Sequence, residues 1–263
     1  MPTLDESVTR RVAALYDVHG NHPALDAALA ATDAERADAV VVGGDVVLGP
    51  MPREALDRLL AVGPRARFLR GNCDRLVVDA FDGRSLAPLP PRVQEAIAWT
   101  AAQLDRGHRD FLAQLPETLT LDVAGLGEVL FCHATPRRDD EIVTARTPAE
   151  RVRPMLAGVR QRVVVCGHTH LPFDRTVDGV RLVNAGSVGM PYGEPGAHWL
   201  LLGPGVRPMH TAYDLAGAAA RVRATAYPGA ADFADRHVLH PASADDALRL
   251  FEPPPGPPEA PPR

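Results

Sequence analysis

Short runs of apolar, β-branched residues alternate with helical patterns through the first third of the chain. The runs predict strands over residues 12–16, 39–42 and 66–69, and the segments between them predict helices over 23–31 and 52–62. In a strand–helix–strand order the helix carries the chain back to the start of the next strand. We therefore expect three parallel strands with helices packed on their sheet.

The second half of the chain changes to strands at close spacing. Gly125 to Gly127 and Asp178-Gly179 have the composition of hairpin turns. The alternating runs predict six strands, over residues 119–123, 128–132, 162–166, 173–177, 180–184 and 198–202. A parallel first half and a hairpin-rich second half together indicate an α/β fold with two sheets.

Helical periodicity also covers residues 91–115 and 216–226. The first stretch predicts two helices that break near Gly107. Its expected buried stripe consists of Trp99, Leu104, Phe111 and Leu115. We expect one domain over residues 1–227 and a C-terminal extension over 228–263. The end of that extension, 251–263, is rich in proline and is expected to be disordered.

Composition excludes several classes of protein. A chain of 263 residues with 46% hydrophobic content can form a sizeable core. Its net charge of −5 lacks the basic excess of proteins that coat nucleic acid. All 28 basic residues are arginines, which excludes any chemistry that depends on a lysine, such as a P-loop or a Schiff base.

Three further features favour the cytoplasm. The longest apolar runs, such as 39–42 and 199–202, are far shorter than the ~20 residues of a membrane-spanning helix. Asp5 and Glu6 precede any apolar stretch, unlike the basic start of a signal peptide. The three cysteines form no disulfide framework, which agrees with a reducing compartment.

Potential metal ligands follow five of the predicted strands, each beside a glycine or close to one. Any one of them taken alone is more typical of a turn or a helix cap. The carboxyl ends of strands in α/β sheets are where ligands bind, so the joint pattern favours a metal site. The candidates are Asp17, His19, Asp45, Asn72, His133, His168 and His170.

In chain order these segments read DVHGN, GGD, GNCD, FCHATP and GHTH, followed by NAGSVG. This order resembles the calcineurin-like metallophosphoesterases, with the small bacterial phosphodiesterase and phosphatase branch the most similar. The resemblance extends from Asp17 to Gly189. It implies a four-layer α/β/β/α sandwich with two mixed β-sheets.

The resemblance also implies two adjacent divalent transition-metal ions. Manganese is the first expectation, and iron, zinc, nickel and cobalt also suit mixed imidazole and carboxylate ligands. Asp45 would bridge the ions and would be catalytic together with Asn72 and His133. One ion would be held by Asp17, His19 and His170, and the other by Asn72, His133 and His168.

The implied activity is hydrolysis of phosphomonoesters or phosphodiesters by a hydroxide ion that the two metals activate. The implied substrate is a phosphorylated small molecule or a nucleotide. The alternative is a non-catalytic scaffold of the same fold that binds metal and a protein partner. Residues 88–116 are expected to border the site and to influence substrate choice.

The third motif departs from the pattern of many larger relatives. Cys73 occupies the position of a histidine that is thought to protonate the leaving group, so His22 or a water molecule would have to replace it. Asp74, whose usual partner is that histidine, is expected to cap a helix. Cys132 and Cys166 are expected to be buried as small apolar residues.

Candidate substrate contacts are weaker in sequence. Arg137 follows His133 by four residues and Arg75 lies next to GNCD, and arginine can bind phosphate through two hydrogen bonds. Each taken alone is more often a solvated surface residue, and Arg137 ranks first because it lies four residues from a proposed ligand. Asn21 is a third candidate, although capping the first helix is its more natural role.

Overall fold

The computed structural model describes residues 9–252, which form two five-stranded sheets flanked by helices. The strands are β1 (Val12–Leu15), β2 (Ala39–Val42), β3 (Ala66–Phe68), β4 (Thr118–Val123), β5 (Gly127–Cys132), β6 (Val163–Cys166), β7 (Phe173–Val177), β8 (Val180–Asn184), β9 (Ala197–Leu202) and β10 (Val206–Thr211). The helices are α1 (His22–Ala34), α2 (Pro52–Leu60), α3 (Asn72–Phe81), α4 (Pro91–Gln103), α5 (Arg106–Ala113), α6 (Ala149–Val152), α7 (Leu215–Arg223), α8 (Ala230–Phe233) and α9 (Ala244–Phe251).

The first sheet has the order β10-β9-β1-β2-β3. Its strands β1, β2 and β3 are parallel, as predicted, because α1 and α2 return the chain to the same end of the sheet. Strand β9 is antiparallel to β1, and β10 is antiparallel to β9. We did not predict β10, whose sequence VRPMHT is largely exposed and contains Pro208. Proline is tolerated in an edge strand, where one row of backbone groups needs no partner.

The second sheet has the order β4-β5-β6-β8-β7. Strands β5, β6 and β8 are parallel, and hairpins add β4 and β7 at the two edges. The β7–β8 hairpin turns at Asp178-Gly179, both with positive φ, as the pattern predicted. Both sheets are therefore mixed.

Alternation along the strands produces four layers. Val12 and Ala14 of β1 face Phe131 and Val165 of the second sheet and form the core between the sheets. The intervening residues of β1 pack against the helices on the outside of the first sheet. The outer face of the second sheet, which includes Cys132 and Cys166, packs against α6 and the 3₁₀ turn that follows it. The predicted four-layer α/β/β/α sandwich is confirmed.

The helical region after β3 differs from the prediction. The chain breaks between α4 and α5 before Gly107, because the Asp105 carboxylate accepts a hydrogen bond from His108 N (3.1 Å) and caps α5. Of the expected buried stripe only Leu104 is buried, and Trp99, Phe111 and Leu115 are partly exposed. The buried positions are Ala96, Ile97, Thr100, Ala101, Leu104, His108 and Leu112.

The segment after residue 227 is largely helical. Residues Ala234–Leu239 form a π-helix between α8 and α9, and Phe233 and Val238 are buried against α7. Phe251, which we assigned to the proline-rich tail, ends α9, and residues 253–263 lie outside the described part of the chain. The domain division at residue 227 stays a prediction. Within residues 9–252, no helix is long and apolar enough to cross a membrane.

Candidate metal centre

The candidate ligands lie where strands of both sheets end. Strands β1, β2 and β3 of the first sheet lead into three of the loops, and β5 and β6 of the second sheet lead into two more. Because these strands are parallel within each sheet, their carboxyl ends lie at the same edge. All seven predicted side chains come together there: Asp17, His19, Asp45, Asn72, His133, His168 and His170.

Two groups of donor atoms can be distinguished. In the first group, His19 Nε2 lies 3.2 Å from His170 Nε2, which lies 3.4 Å from Asp17 Oδ1. In the second group, the side-chain amide of Asn72 lies 3.0 Å from His133 Nε2 and 3.0 Å from His168 Nδ1. Each group therefore consists of three side chains that point to a common position.

Asp45 lies between the two groups. Its Oδ2 atom is 3.7 Å from His19 Nε2 in the first group and 3.4 Å from His133 Nε2 in the second. A carboxylate in this position can contact cations in both groups. This is the placement that the bridging role requires.

The two carboxylates are held in the same way. Asp17 Oδ2 accepts a hydrogen bond from His168 N (2.9 Å), and Asp45 Oδ1 accepts one from Cys73 N (2.8 Å). Each aspartate thus keeps its other oxygen for the donor cluster. Asp17 Oδ1 is buried and has no hydrogen-bond donor, which is costly for a carboxylate oxygen unless a cation lies beside it.

Three of the imidazoles are oriented by backbone carbonyls. The Nδ1 atoms of His19, His133 and His170 donate to the carbonyl oxygens of Leu48 (3.1 Å), Gly43 (2.8 Å) and Met190 (2.8 Å). Donation from Nδ1 directs each Nε2 into the cluster, where its lone pair can bind a metal ion once any proton on that nitrogen is displaced. This arrangement is typical of histidines that bind metal.

The backbone conformation of the ligand loops is unusual. Seven residues other than glycine have positive φ within residues 9–252, and five of these are candidate ligands. Positive φ costs free energy in residues with a side chain, and such strain is concentrated at functional sites. The five are Asp17, His19, Asp45, His168 and His170, with φ between 47° and 66°.

Two glycines allow other atoms to approach the carboxylates closely. A Cβ atom at Gly71 would overlap Asp45 Oδ1, and one at Gly167 would lie 2.5 Å from Asp17 Oδ2. Ser187 donates through Oγ to Asp17 O (2.7 Å). The loops around both aspartates are therefore packed too tightly for larger residues.

Asp74 has a larger role than the helix cap that we expected. Its fully buried carboxylate accepts a hydrogen bond from Gly71 N at the start of α3 (3.1 Å). It also accepts hydrogen bonds from the backbone of the Asp45 loop: Asp45 N (2.8 Å), Val46 N (2.9 Å) and Val47 N (3.3 Å). Asp74 thus joins the loops that carry Asp45 and Asn72. The sequence feature that could have indicated this role is the position of an aspartate three residues after Gly71.

The buried charges influence each other strongly. Although burial disfavours a charged imidazole, the Asp45 carboxylate raises the pKa of His133 to about 10. Burial and the neighbouring His133 lower the pKa of His168 to about 4. Burial and the Asp45 carboxylate raise the pKa of Asp74 to about 6, against the effect of its backbone donors. These opposed shifts within one cluster are typical of functional sites.

The donor set fits divalent transition-metal ions. His19 and His170 point Nε2 lone pairs at each other over 3.2 Å, which requires a proton or a cation between them. Asn72 shows a similar conflict, because its side-chain oxygen, when it points toward His133 and His168, faces only hydrogen-bond acceptors. Nitrogen and carboxylate donors in this ratio suit manganese, iron, cobalt, nickel or zinc better than calcium.

The three candidate substrate contacts have different surroundings. Arg75 forms a paired hydrogen bond with Asp139 (2.8 and 3.0 Å) and is half-buried next to α3. Arg137 is exposed and binds Glu141 and the Pro154 carbonyl. Both guanidinium groups are therefore engaged by carboxylates of the loop after β5.

Asn21 does not reach the surface. Its Oδ1 accepts from Ala24 N (3.3 Å) and caps α1, and its Nδ2 donates to Gly189 O (2.9 Å) and Tyr213 Oη (3.3 Å). The side chain is fully buried and joins α1 to the loop at Gly189. Its assignment as a substrate contact stays a prediction.

Cys73 and His22 were the residues linked to the missing histidine. Cys73 lies in the cluster, and its sulfur forms a third possible donor group with His19 and Asp45. Burial and the Asp45 carboxylate raise the pKa of its thiol well above the usual value. His22 starts α1, where its Nδ1 lies 3.2 Å from Asp26 Oδ2.

Comparison with known proteins agrees with this description. A hypothetical protein from Pyrococcus horikoshii OT3 is 22% identical with a TM-score of 0.74, covers 85% of this chain and 97% of its own, and has the same fold. A metallophosphoesterase from Sphaerobacter thermophilus is 27% identical with a TM-score of 0.65, and covers 82% of this chain and 93% of its own. A search of curated proteins finds no match.

The sequence between residues 11 and 203 matches the calcineurin-like phosphoesterase superfamily domain. This range includes all the candidate ligands and nine of the ten strands. The chain therefore belongs to the calcineurin-like phosphoesterase superfamily.

Proposed function

We propose that this protein is a metal-dependent phosphoesterase that hydrolyses phosphomonoesters or phosphodiesters at a dinuclear centre. The observation that carries the proposal is the position of Asp45 Oδ2 between His19 and His133, which belong to different donor groups. Membership of the phosphoesterase superfamily supports it. The similar metallophosphoesterase from Sphaerobacter thermophilus points to the same class of reaction.

Each residue of the centre has a defined task in this proposal. One ion would be held by Asp17, His19 and His170, the other by Asn72, His133 and His168, and Asp45 would contact both. When bound, two divalent ions can lower the pKa of water and stabilise charge on phosphoryl oxygens. The backbone hydrogen bonds to both aspartates and three histidines keep the donors in place before any ion arrives.

The substrate is proposed to be a phosphorylated small molecule or a nucleotide. Arg75 is the preferred substrate contact because it lies close to the metal centre. Its partner is Asp139, and the backbone carbonyl oxygen of Asp139 lies 3.3 Å from the side-chain amide of Asn72. A phosphate oxygen can compete with the Asp139 carboxylate for the guanidinium group. Arg137 is the second candidate and would have to release Glu141 in the same way.

The test is hydrolysis of p-nitrophenyl phosphate and bis-p-nitrophenyl phosphate by protein that is stripped of metal and reloaded with Mn, Ni, Co or Zn. We expect turnover only after reloading, and the preferred ester identifies a phosphatase or a phosphodiesterase. Asp45→Asn should reduce turnover by more than about a hundredfold, because loss of groups that merely orient ligands already costs 10–100-fold. The exposed Asp232→Asn is the matched control.

Two results would contradict the proposal. Full turnover by Asp45→Asn would exclude the bridging role. Folded protein that hydrolyses neither ester with any metal would favour the non-catalytic scaffold.

A further inference from the structure

Aromatic residues are scarce in this chain but are concentrated beside the candidate metal centre. The sequence contains seven phenylalanines, two tryptophans and four tyrosines. Five of these side chains lie in two groups of rings in contact, and one group reaches the candidate ligand His170 through Tyr192. The five are Trp99, Tyr192, Tyr227, Phe233 and Phe251. We call these five residues and His237 the aromatic wall.

One part of the wall runs from α4 to the π-helix. Trp99 meets Tyr227 edge to face at 5.3 Å between ring centroids, and Tyr227 meets Phe233 at 6.1 Å. Phe233 is buried and continues to His237 at 5.2 Å. Tyr227 packs against the cluster that contains Met51, and so does Met190, whose carbonyl accepts the hydrogen bond from His170.

The other part of the wall starts at a candidate ligand. The Tyr192 ring lies 6.1 Å from the His170 ring and 6.1 Å from the ring of Phe251 at the end of α9. Gly193 N donates to Ala242 O (2.8 Å) and ties the Tyr192 loop to the segment before α9. This part therefore borders the first donor group.

His237 connects the wall to the metal-centre loops. It lies in the π-helix, an element that is frequent at functional sites. The neighbouring Val238 packs in one cluster with Met51 and Met190, and the Met190 carbonyl accepts the hydrogen bond from His170. Burial is the main cause that lowers the pKa of His237 to about 4, and the nearby His170 and His19 lower it further. Its imidazole is therefore neutral at pH 7.

Five members of the wall are only partly buried: Trp99, Tyr192, Tyr227, His237 and Phe251. Partly exposed aromatic rings stack well on planar aromatic groups. A neutral imidazole and two phenols also supply hydrogen bonds without adding charge. Four members, Tyr227, Phe233, His237 and Phe251, belong to the segment after residue 203, which the superfamily match does not include.

We propose that the aromatic wall selects substrates and that the preferred substrate is a phosphoester that carries a planar aromatic group. This inference rests on the proposed phosphoesterase function. The planar group would stack on Tyr192, whose ring lies beside that of the candidate ligand His170, while the phosphate meets the donor cluster. Nucleoside phosphates and aryl phosphates share this chemistry.

The test compares substrates that differ only in the planar group. Adenosine 5′-phosphate and ribose 5-phosphate form a monoester pair with the same leaving oxygen. The methyl phosphodiesters of the same two compounds form a diester pair, and phenyl phosphate represents simple aryl esters. We expect kcat/KM to be at least about tenfold higher for the member with the base, mainly through KM. A preference for phenyl phosphate over adenosine 5′-phosphate would identify aryl esters as the source.

Variants connect this preference to the wall. Tyr192→Leu and His237→Ala should each remove most of the preference while turnover of ribose 5-phosphate stays within twofold. Tyr192→Phe keeps the ring and should keep the preference. His240→Ala, an exposed residue of the same segment, is the control. Adenosine should also quench the fluorescence of the partly exposed Trp99 in metal-free protein, and Tyr192→Leu should weaken that binding about tenfold.

The outcomes separate the two proposals. If no ester is hydrolysed with any metal, the phosphoesterase function fails. If esters are hydrolysed without preference for the planar group, or if Tyr192→Leu and His237→Ala keep the preference, the aromatic wall is only packing for the C-terminal helices.

Discussion

Asp74 provides the sharpest test of how the fold positions the metal centre. Its carboxylate accepts four backbone hydrogen bonds, two on each oxygen. Asp74→Asn keeps one oxygen and replaces the other with an amide NH₂ group. Two buried N–H groups, such as those of Asp45 and Gly71, then face a donor. The substitution changes no candidate ligand.

The expected cost can be estimated from these contacts. A buried N–H group that loses its acceptor costs about 1–3 kcal/mol, so two such groups cost about 2–6 kcal/mol. For a domain of this size each kcal/mol lowers Tm by about 2–4 °C, which gives a decrease of about 4–24 °C. Because the Asp45 loop also shifts, metal affinity should fall about 10–100-fold, the usual effect of losing a group that orients a ligand.

The assay combines thermal unfolding with calorimetric metal titration at pH 8, above the pKa of about 6 for Asp74, where the carboxylate is ionised. Asp79→Asn is the control on the same helix, since Asp79 pairs with Arg84 at the surface and such pairs contribute at most about 1 kcal/mol. If Asp74→Asn does not fold, Asp74→Glu, which retains the charge, provides the metal titration. Unchanged Tm and unchanged metal affinity in Asp74→Asn would refute the positioning role.

Three further predictions concern the ligands, the missing histidine and the contact between the sheets. Metal binding at pH 7 should release about one proton, because the Asp45 carboxylate raises the pKa of His133 to about 10 in the metal-free protein, against the effect of burial, and a bound ion displaces that proton. Equal binding enthalpies in buffers of different ionisation heat would contradict this. Cys73→His should increase turnover of alkyl esters at least about tenfold more than turnover of p-nitrophenyl esters, because imidazole is a better proton donor than a thiol at neutral pH. Equal effects on both kinds of ester would argue against proton donation from this position. Tyr16→Phe removes the hydrogen bond from Oη to Val165 O (3.1 Å) between the sheets, so Tm should fall by about 2–4 °C; an unchanged Tm would show that this bond adds nothing.

Much of the fold could be predicted because its periodicities are local. The apolar alternation located nine of the ten strands within about two residues, and the order of strands and helices gave the parallel pairing. Strand β10 was missed because its side chains are mostly exposed, so no period-two pattern of burial marks it. Helix α3 was given no range, although Asp74 at its start was expected to cap a helix.

The candidate centre was predictable in its residue types but not in how the residues are held. The seven donors could be identified from their positions at the ends of predicted strands, because a polar residue after an apolar run is visible in the sequence. The hydrogen bonds from Asp74 to the Asp45 loop are between residues 27 to 29 positions apart, and no local pattern reveals them. The same holds for the contact of Tyr192 with Phe251, which depends on how the C-terminal helices return to the site.

The strain in the ligand loops bears on whether the centre is functional. Five candidate ligands have positive φ, and each such residue costs about 1–3 kcal/mol. The sum is comparable with the whole stability of a typical domain, about 5–15 kcal/mol. Backbone hydrogen bonds such as His19 N to Asp45 O (2.9 Å) hold the loops in this conformation. A surface that only bound a protein partner would not need the strained conformation of these loops. Binding of two cations by the seven converging donors would offset the free energy of the strain directly. Removing the metal should therefore destabilise the wild-type protein more than the Asp45→Asn variant, as thermal unfolding with and without a chelator can measure.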